Sequence, residues 1–150
     1  MTQVNELSAL IKSYCSQMDI GVIDAAAAKA ESGQLEDKFD FVQAMAQVLD
    51  TAFGWKAEDR VMAKKMLLTS FEELAEAGHV MAMRATAFGY ARGDNDQKIS
   101  DGAGGQNATS KPDFATAFLW ASKAAEKGDA VATELLPDIK EQMKLQLLGR

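Results

Sequence analysis

Apolar residues recur along this chain at steps of three and four, the spacing that gathers them on one face of an α-helix. Val4, Leu7, Leu10, Ile11 and Tyr14 form such a stripe and predict a first helix from about Thr2 to Gln17. Gly21 predicts a break, after which a second helix covers about Val22 to Ser32. A third, about Leu35 to Phe53, buries Phe41, Ala44, Met45, Val48, Leu49 and Ala52 and ends at Gly54. A fourth, about Ala57 to Ala77, turns Val61, Met62, Met66, Leu67, Phe71 and Leu74 inward, and a fifth runs from about His79 to Arg92 and stops at Gly93. The polar stretch Asp94 to Lys111 is long for a loop inside a compact domain and is expected to be mobile. Pro112 is suited to the first turn of a sixth helix, which reaches about Lys127 and carries Phe114, Ala117, Phe118, Trp120, Ala121, Ala124 and Ala125. Asp129 is placed to cap a seventh. Pro137 is expected to kink that helix or restart it, leaving an end helix from about Asp138 to Leu148 with Ile139, Met143 and Leu147 as its apolar side. No long alternating β-branched run suggests a sheet.

A five-residue phrase returns three times: Lys29-Ala-Glu-Ser-Gly33, Leu74-Ala-Glu-Ala-Gly78 and Ala124-Ala-Glu-Lys-Gly128. Each closes an apolar helix pattern on a glycine, which adopts the left-handed conformation of a helix stop without a Cβ clash. A helix-ending phrase recurring at such a period marks stacked helical repeats. The fold class expected is therefore all-α: a stack of antiparallel helix pairs, an α-solenoid of about seven helices in one domain.

From Leu67 to Leu136 the chain resembles the Sel-one-like repeat family, relatives of the tetratricopeptide repeats. Ala75-Glu76-Ala77-Gly78-His79 matches one repeat's end, and Ala82, Tyr90 and Gly93 match the next helix at the family's steps. Asp113-Phe114, Ala117, Trp120, Lys123-Ala124-Ala125-Glu126, Gly128, Asp129 and Ala132 match the following pair. Three departures stand out. Thr86-Ala87 replaces the family's Leu-Gly pair, Pro137 truncates the last repeat, and the 94–111 loop is longer than the family's short acidic turn. The resemblance implies divergent helices over 1–56, repeats over 57–136 and a capping helix over 137–150. It also implies a bacterial adaptor, regulatory or toxin-neutralising role exercised by binding protein.

The formal net charge of −6 disfavours phosphate backbones and suits a basic partner. No apolar run approaches the roughly 20 residues of a membrane span. The first ten residues lack the basic and apolar regions of a secretory signal, so a cytoplasmic location is expected. The single cysteine, Cys15, rules out an intramolecular disulfide; among core-facing residues it reads as an inert buried thiol.

Candidate chemistry is sparse. A nucleophilic Cys15–His79 pair is conceivable, but His79 follows a helix-ending glycine, where Asp129 stands in the later repeat, and a helix-start role is expected. Asp94-Asn95-Asp96 resembles the opening of a calcium loop, yet Lys98, Ile99 and Gly105 fall where a ligand, a glycine and a glutamate are needed. Glu72, Glu73 and Glu76 read as solvated glutamates on an exposed helix face. No catalytic, cofactor or metal site is expected.

Met81, Arg84, Phe88 and Arg92 share a face of the fifth helix, and they combine residue types enriched at interfaces. The resemblance places helices of this type on the concave side of the stack, so these four are the candidate partner-binding residues. The alternative is that Met81 and Phe88 pack under neighbouring helices. The sequence thus reads as a non-enzymatic protein-binding module, an immunity protein against a cognate toxin being its most specific form. The alternatives are a structural homo-oligomer, and an enzyme with loop 94–111 as its lid.

Overall fold

The computed structural model describes residues 2–96, 98–99, 108–109 and 111–149. Seven α-helices run through the described residues: α1 (Thr2–Lys12), α2 (Gln17–Ala30), α3 (Leu35–Thr51), α4 (Ala57–Glu76), α5 (Val80–Arg92), α6 (Phe114–Glu126) and α7 (Ala130–Leu148). A short 3-10 turn at Asp94–Asp96 and an antiparallel ladder pairing Lys98–Ile99 with Ala108–Thr109 lie between α5 and α6. The expectation of a mobile 94–111 stretch falls mostly on residues outside those described. The fold is an all-α stack in which α2 packs on α3, α3 on α4, α4 on α5, α5 on α6 and α6 on α7; α1 lies across α4 and α3. Short turns return α3, α4, α5 and α7 alongside their predecessors, while α5 and α6 are joined by the longer 93–113 connection.

The repeated phrase is a repeated piece of backbone. Gly78 and Gly128 sit at φ 104° and 95°. The N–H groups of His79 and Asp129 reach back to the carbonyls of Leu74 and Ala124, each at 3.1 Å, closing the helix ends in Schellman fashion. The same two residues then cap the next helix: His79 Nδ1 accepts from Ala82 N–H at 3.1 Å, and Asp129 Oδ1 accepts from Ala132 N–H at 3.0 Å. Gly33 shares the left-handed φ, at 83°, but Gln34 N–H turns instead to Ser32 Oγ, and Gln34 offers no side-chain cap to α3.

Small residues govern the closest helix approaches. Ala82, Ala117, Ala124 and Ala132 are fully enclosed. Gly89, inside α5, faces Leu68 of α4 so closely that an added Cβ would stand 2.5 Å from Leu68 Cδ1. Gly89 thus supplies a close glycine contact three residues beyond Thr86, in a helix whose Thr86-Ala87 replaces the family's Leu-Gly pair. Thr86 is itself buried, its hydroxyl donating to the Ala82 carbonyl.

Several boundaries differ from expectation for physical reasons. α1 ends at Lys12, because Ser16 Oγ accepts the Asp19 N–H and starts α2 early; Gly21 consequently lies inside α2, with open space where a side chain would be. Cys15 falls in the α1–α2 turn, partly buried and packed against the core as expected, though not fully enclosed. α6 begins at Phe114 because Asp113, not Pro112, supplies its cap, accepting from Thr116 N–H. α7 is continuous from Ala130 to Leu148 with Pro137 inside it. Pro137 is exposed, where the N–H it lacks costs less than it would in the core, and the helix continues through it. Met62 is 53% exposed and Leu147 70%, so neither belongs to the apolar faces assigned to them.

Candidate functional site in the groove between α3 and α5

α3 and α5 flank α4, and the three enclose a polar-rimmed groove floored by apolar side chains. Its inner part, about 220 Å³, lies over Leu67, Leu68 and Phe71 of α4 and is edged by Asp50, Lys64, Arg92 and Asp94. A shallower part of about 240 Å³ shares Asp50, Phe71 and Arg92 with it and adds Gln43, Gln47 and Phe88. Two of the four expected partner-binding residues, Phe88 and Arg92, therefore line one groove.

The other two do not. Met81 is 41% exposed near the start of α5 and lies outside the groove lining. Arg84 is committed to the fold: its Nε donates to Asp129 Oδ2 at 3.1 Å, tying α5 to the start of α7. Arg92 is also paired, through Nε at 3.2 Å and the guanidinium NH2 at 3.0 Å to Asp94 Oδ2, but its side chain is still mostly exposed. Asp94 is buried, and its Oδ1 has no hydrogen-bond partner among the described residues. A buried acceptor of this kind is uncommon in a folded protein.

Gln43, Gln47 and Asp50 were not singled out from the sequence, although their spacing of four and three puts them on one polar stripe of α3 beside its apolar face. Asp94 carried a signal only as part of a calcium-like run. Among the described residues, no group of three or more His, Cys, Asp and Glu is placed to hold a metal ion.

The former catalytic candidates have structural partners. His79 uses Nδ1 for the α5 cap and Nε2 for Glu36 at 2.8 Å, and its ring stacks on Phe39 at 4.5 Å, so neither nitrogen serves Cys15. The Cys15 thiol lies 3.9 Å from the Lys12 carbonyl; burial and then Asp19 push its pKa up, away from thiolate. Glu72 is not a solvated glutamate. Its two oxygens accept from Tyr90 O–H at 2.8 Å and Trp120 Nε1–H at 3.2 Å, joining α4 to α5 and α6. Burial, followed by this hydrogen bond, holds the Tyr90 phenol well above its ordinary range and keeps it a neutral donor.

No family model matches the chain, and comparisons with curated proteins and with solved structures find no match. No described helix is long and apolar enough to cross a membrane.

His79→Ala removes the α5 cap, and a loss of about 1 kcal/mol in a urea melt is expected, as for other cap deletions. His79→Asn restores an acceptor and should recover most of it. The Glu36 partner is mostly exposed and adds little. A loss near zero for His79→Ala would mean the cap contributes nothing.

Proposed function

We propose that this chain is a non-enzymatic protein-binding module of the Sel-one-like repeat kind, which acts in the bacterial cytoplasm as an adaptor or inhibitor. An immunity protein that neutralises a cognate toxin is its most specific form. The observation that carries the reading is the open groove between α3 and α5, where Phe88 and Arg92 face Gln43, Gln47 and Asp50 across the Phe71 floor. Aromatic and arginine side chains at the centre of a polar rim are the usual anchors of a protein interface. The partner is basic: the chain carries net charge −6, and Asp94 Oδ1, at the groove's inner end, is an acceptor with no donor among the described residues. No nucleic acid, membrane or cofactor enters this proposal.

The test is affinity capture from the native host with wild type, Phe88→Ser and Gln47→Arg side by side, since Gln47 lines the groove and is exposed. A stoichiometric partner retained by wild type and lost by both variants, with melts unchanged, is the expected result. Equal retention by all three would move the site off this groove. Arg84 is unsuited to this test, because replacing it disturbs Asp129 and the start of α7.

A second reading, a homo-oligomer, is favoured by Leu145, Leu147 and Leu148, which stand exposed together at the end of α7. Light scattering at two concentrations separates the readings: a mass that does not change with concentration and equals 16.2 kDa supports a monomeric binder.

A further inference from the structure

The largest cavity described, about 630 Å³, lies away from the α3–α5 groove, where α1, α2, α3 and α4 converge. Its origin is a packing gap. α2 packs on α3 and α1 packs on α4, but α2 and α4 make no extensive contact with each other. On the α2 side the wall is Ala27, Ala28 and Ala30, side chains too short to reach across, and the floor is Val4, Phe41, Val42 and Leu74. An apolar slot of this size between helices, open on one side, falls in the range of ligand-binding clefts.

The rim says what would fill it. Asp24, Glu31 and Glu73 stand around the slot against one cation among the described residues, Lys38. Asp24 is already paired with Lys12, while Glu31 and Glu73 have no ion pair among the described residues. α2 and α4 both end here, at Ala30 and Glu76, with the negative ends of their dipoles. α4 has no basic residue in its last turn, and Lys29 of α2 is drawn to Asp37. The starts of α1 and α3 also lie nearby; that of α3 is matched by its own Glu36 and Asp37. The slot is therefore apolar at its base and acidic at its edge.

We infer that this slot is a docking site for an amphipathic helix of a partner protein, its apolar stripe seated on Phe41, Val42 and Leu74 and its flanking lysines or arginines facing Glu31 and Glu73. This is the helix-in-groove mode of recognition. It is independent of the α3–α5 groove, and either site can fail without the other.

The probe is a fluorescein-labelled peptide of about 14 residues with leucines at helical spacing and lysines beside them, compared with the same peptide carrying glutamates for lysines. Saturable one-to-one binding of the lysine peptide is expected, weakened about tenfold or more by Glu73→Lys and by Ala28→Phe, which fills the slot. The glutamate peptide should bind at least about tenfold more weakly than its lysine counterpart. Glu73 is exposed, so its replacement leaves the fold intact and carries the test even where Ala28→Phe does not fold. Equal binding of the two peptides, or lysine-peptide binding indifferent to Glu73→Lys, overturns the inference. So does a wild type that takes up a neutral apolar dye in the slot but not the lysine peptide, which would assign it to a small ligand.

Discussion

Trp120→Ala is expected to destabilise the protein by about 3–5 kcal/mol, the cost of large-to-small changes in a packed core. Trp120 is 5% exposed in the middle of α6, among the fully enclosed Ala117, Ala121 and Ala124. Those alanines cannot expand into the void it would leave. Its indole N–H also satisfies one oxygen of Glu72, whose other oxygen holds Tyr90, so truncation strips one partner from a half-buried carboxylate. Lys123 lies over the ring at 4.6 Å and loses its cation–π contact, a smaller effect. Trp120→Phe separates the contributions: it keeps most of the volume and loses the hydrogen bond, and should cost about 1–2 kcal/mol. A loss below about 1 kcal/mol for Trp120→Ala in a denaturant melt would contradict the buried register of α6.

Asp129→Ala is expected to cost about 3 kcal/mol, from loss of the α7 cap together with an Arg84 charge left without its partner. The Asp129 side chain is 4% exposed and that of Arg84 28%, so solvent replaces the lost pair only in part. Asp129→Asn keeps an acceptor for Ala132 N–H and should cost less than half as much. The two versions differ least in acid. Burial by itself would raise the Asp129 carboxyl, but the Ala132 N–H and the Arg84 guanidinium outweigh it and the net pKa is lowered. The unfolded chain therefore takes up this proton more readily than the folded one. The stabilisation is fully present above the ordinary aspartate pKa of about 4 and is lost as pH falls through the lower folded value. Below about pH 4 wild type should lose stability faster than Asp129→Asn, narrowing the gap between them. Parallel curves would show that Asp129 is not held by Arg84 in solution.

The fold was legible because periodicity and glycine stops carry most of the information in a short-looped helical protein. Gly78 and Gly128 mark the same closure, followed each time by a capping residue, and the phrase predicted both. Gly33 shares the φ but not the closure, consistent with the weaker N-terminal pattern. Capping chemistry accounts for the misplaced ends: Ser16 and Asp113 outrank the glycine and proline punctuation near them. Pro137 does not restart the helix, since α7 runs through it, and spacing alone does not show whether a proline ends a helix or is carried within it.

The candidate site was half legible. Phe88 and Arg92 lie on the predicted face and line the groove. The roles of Arg84 and Glu72 depend on partners 45 and 48 residues away, Asp129 and Trp120, which no local pattern links. The α3 wall was overlooked because Gln43, Gln47 and Asp50 have no chemistry of their own; they matter only opposite α5. The slot beside α2 is less visible still. Its Ala25–Ala28 run reads as a good helix, and nothing in the run shows that it fails to reach α4.

The central claim is that a protein partner sits in the α3–α5 groove. It is tested most directly by placing a photo-crosslinking phenylalanine analogue at position 88, with a second protein carrying it at the exposed Met18 as control, and irradiating each in extract of the native host. One covalent adduct is expected from position 88, absent from position 18, with crosslinked peptides mapping to a basic segment of a single partner. No adduct at position 88, or the same adducts at both positions, would contradict it.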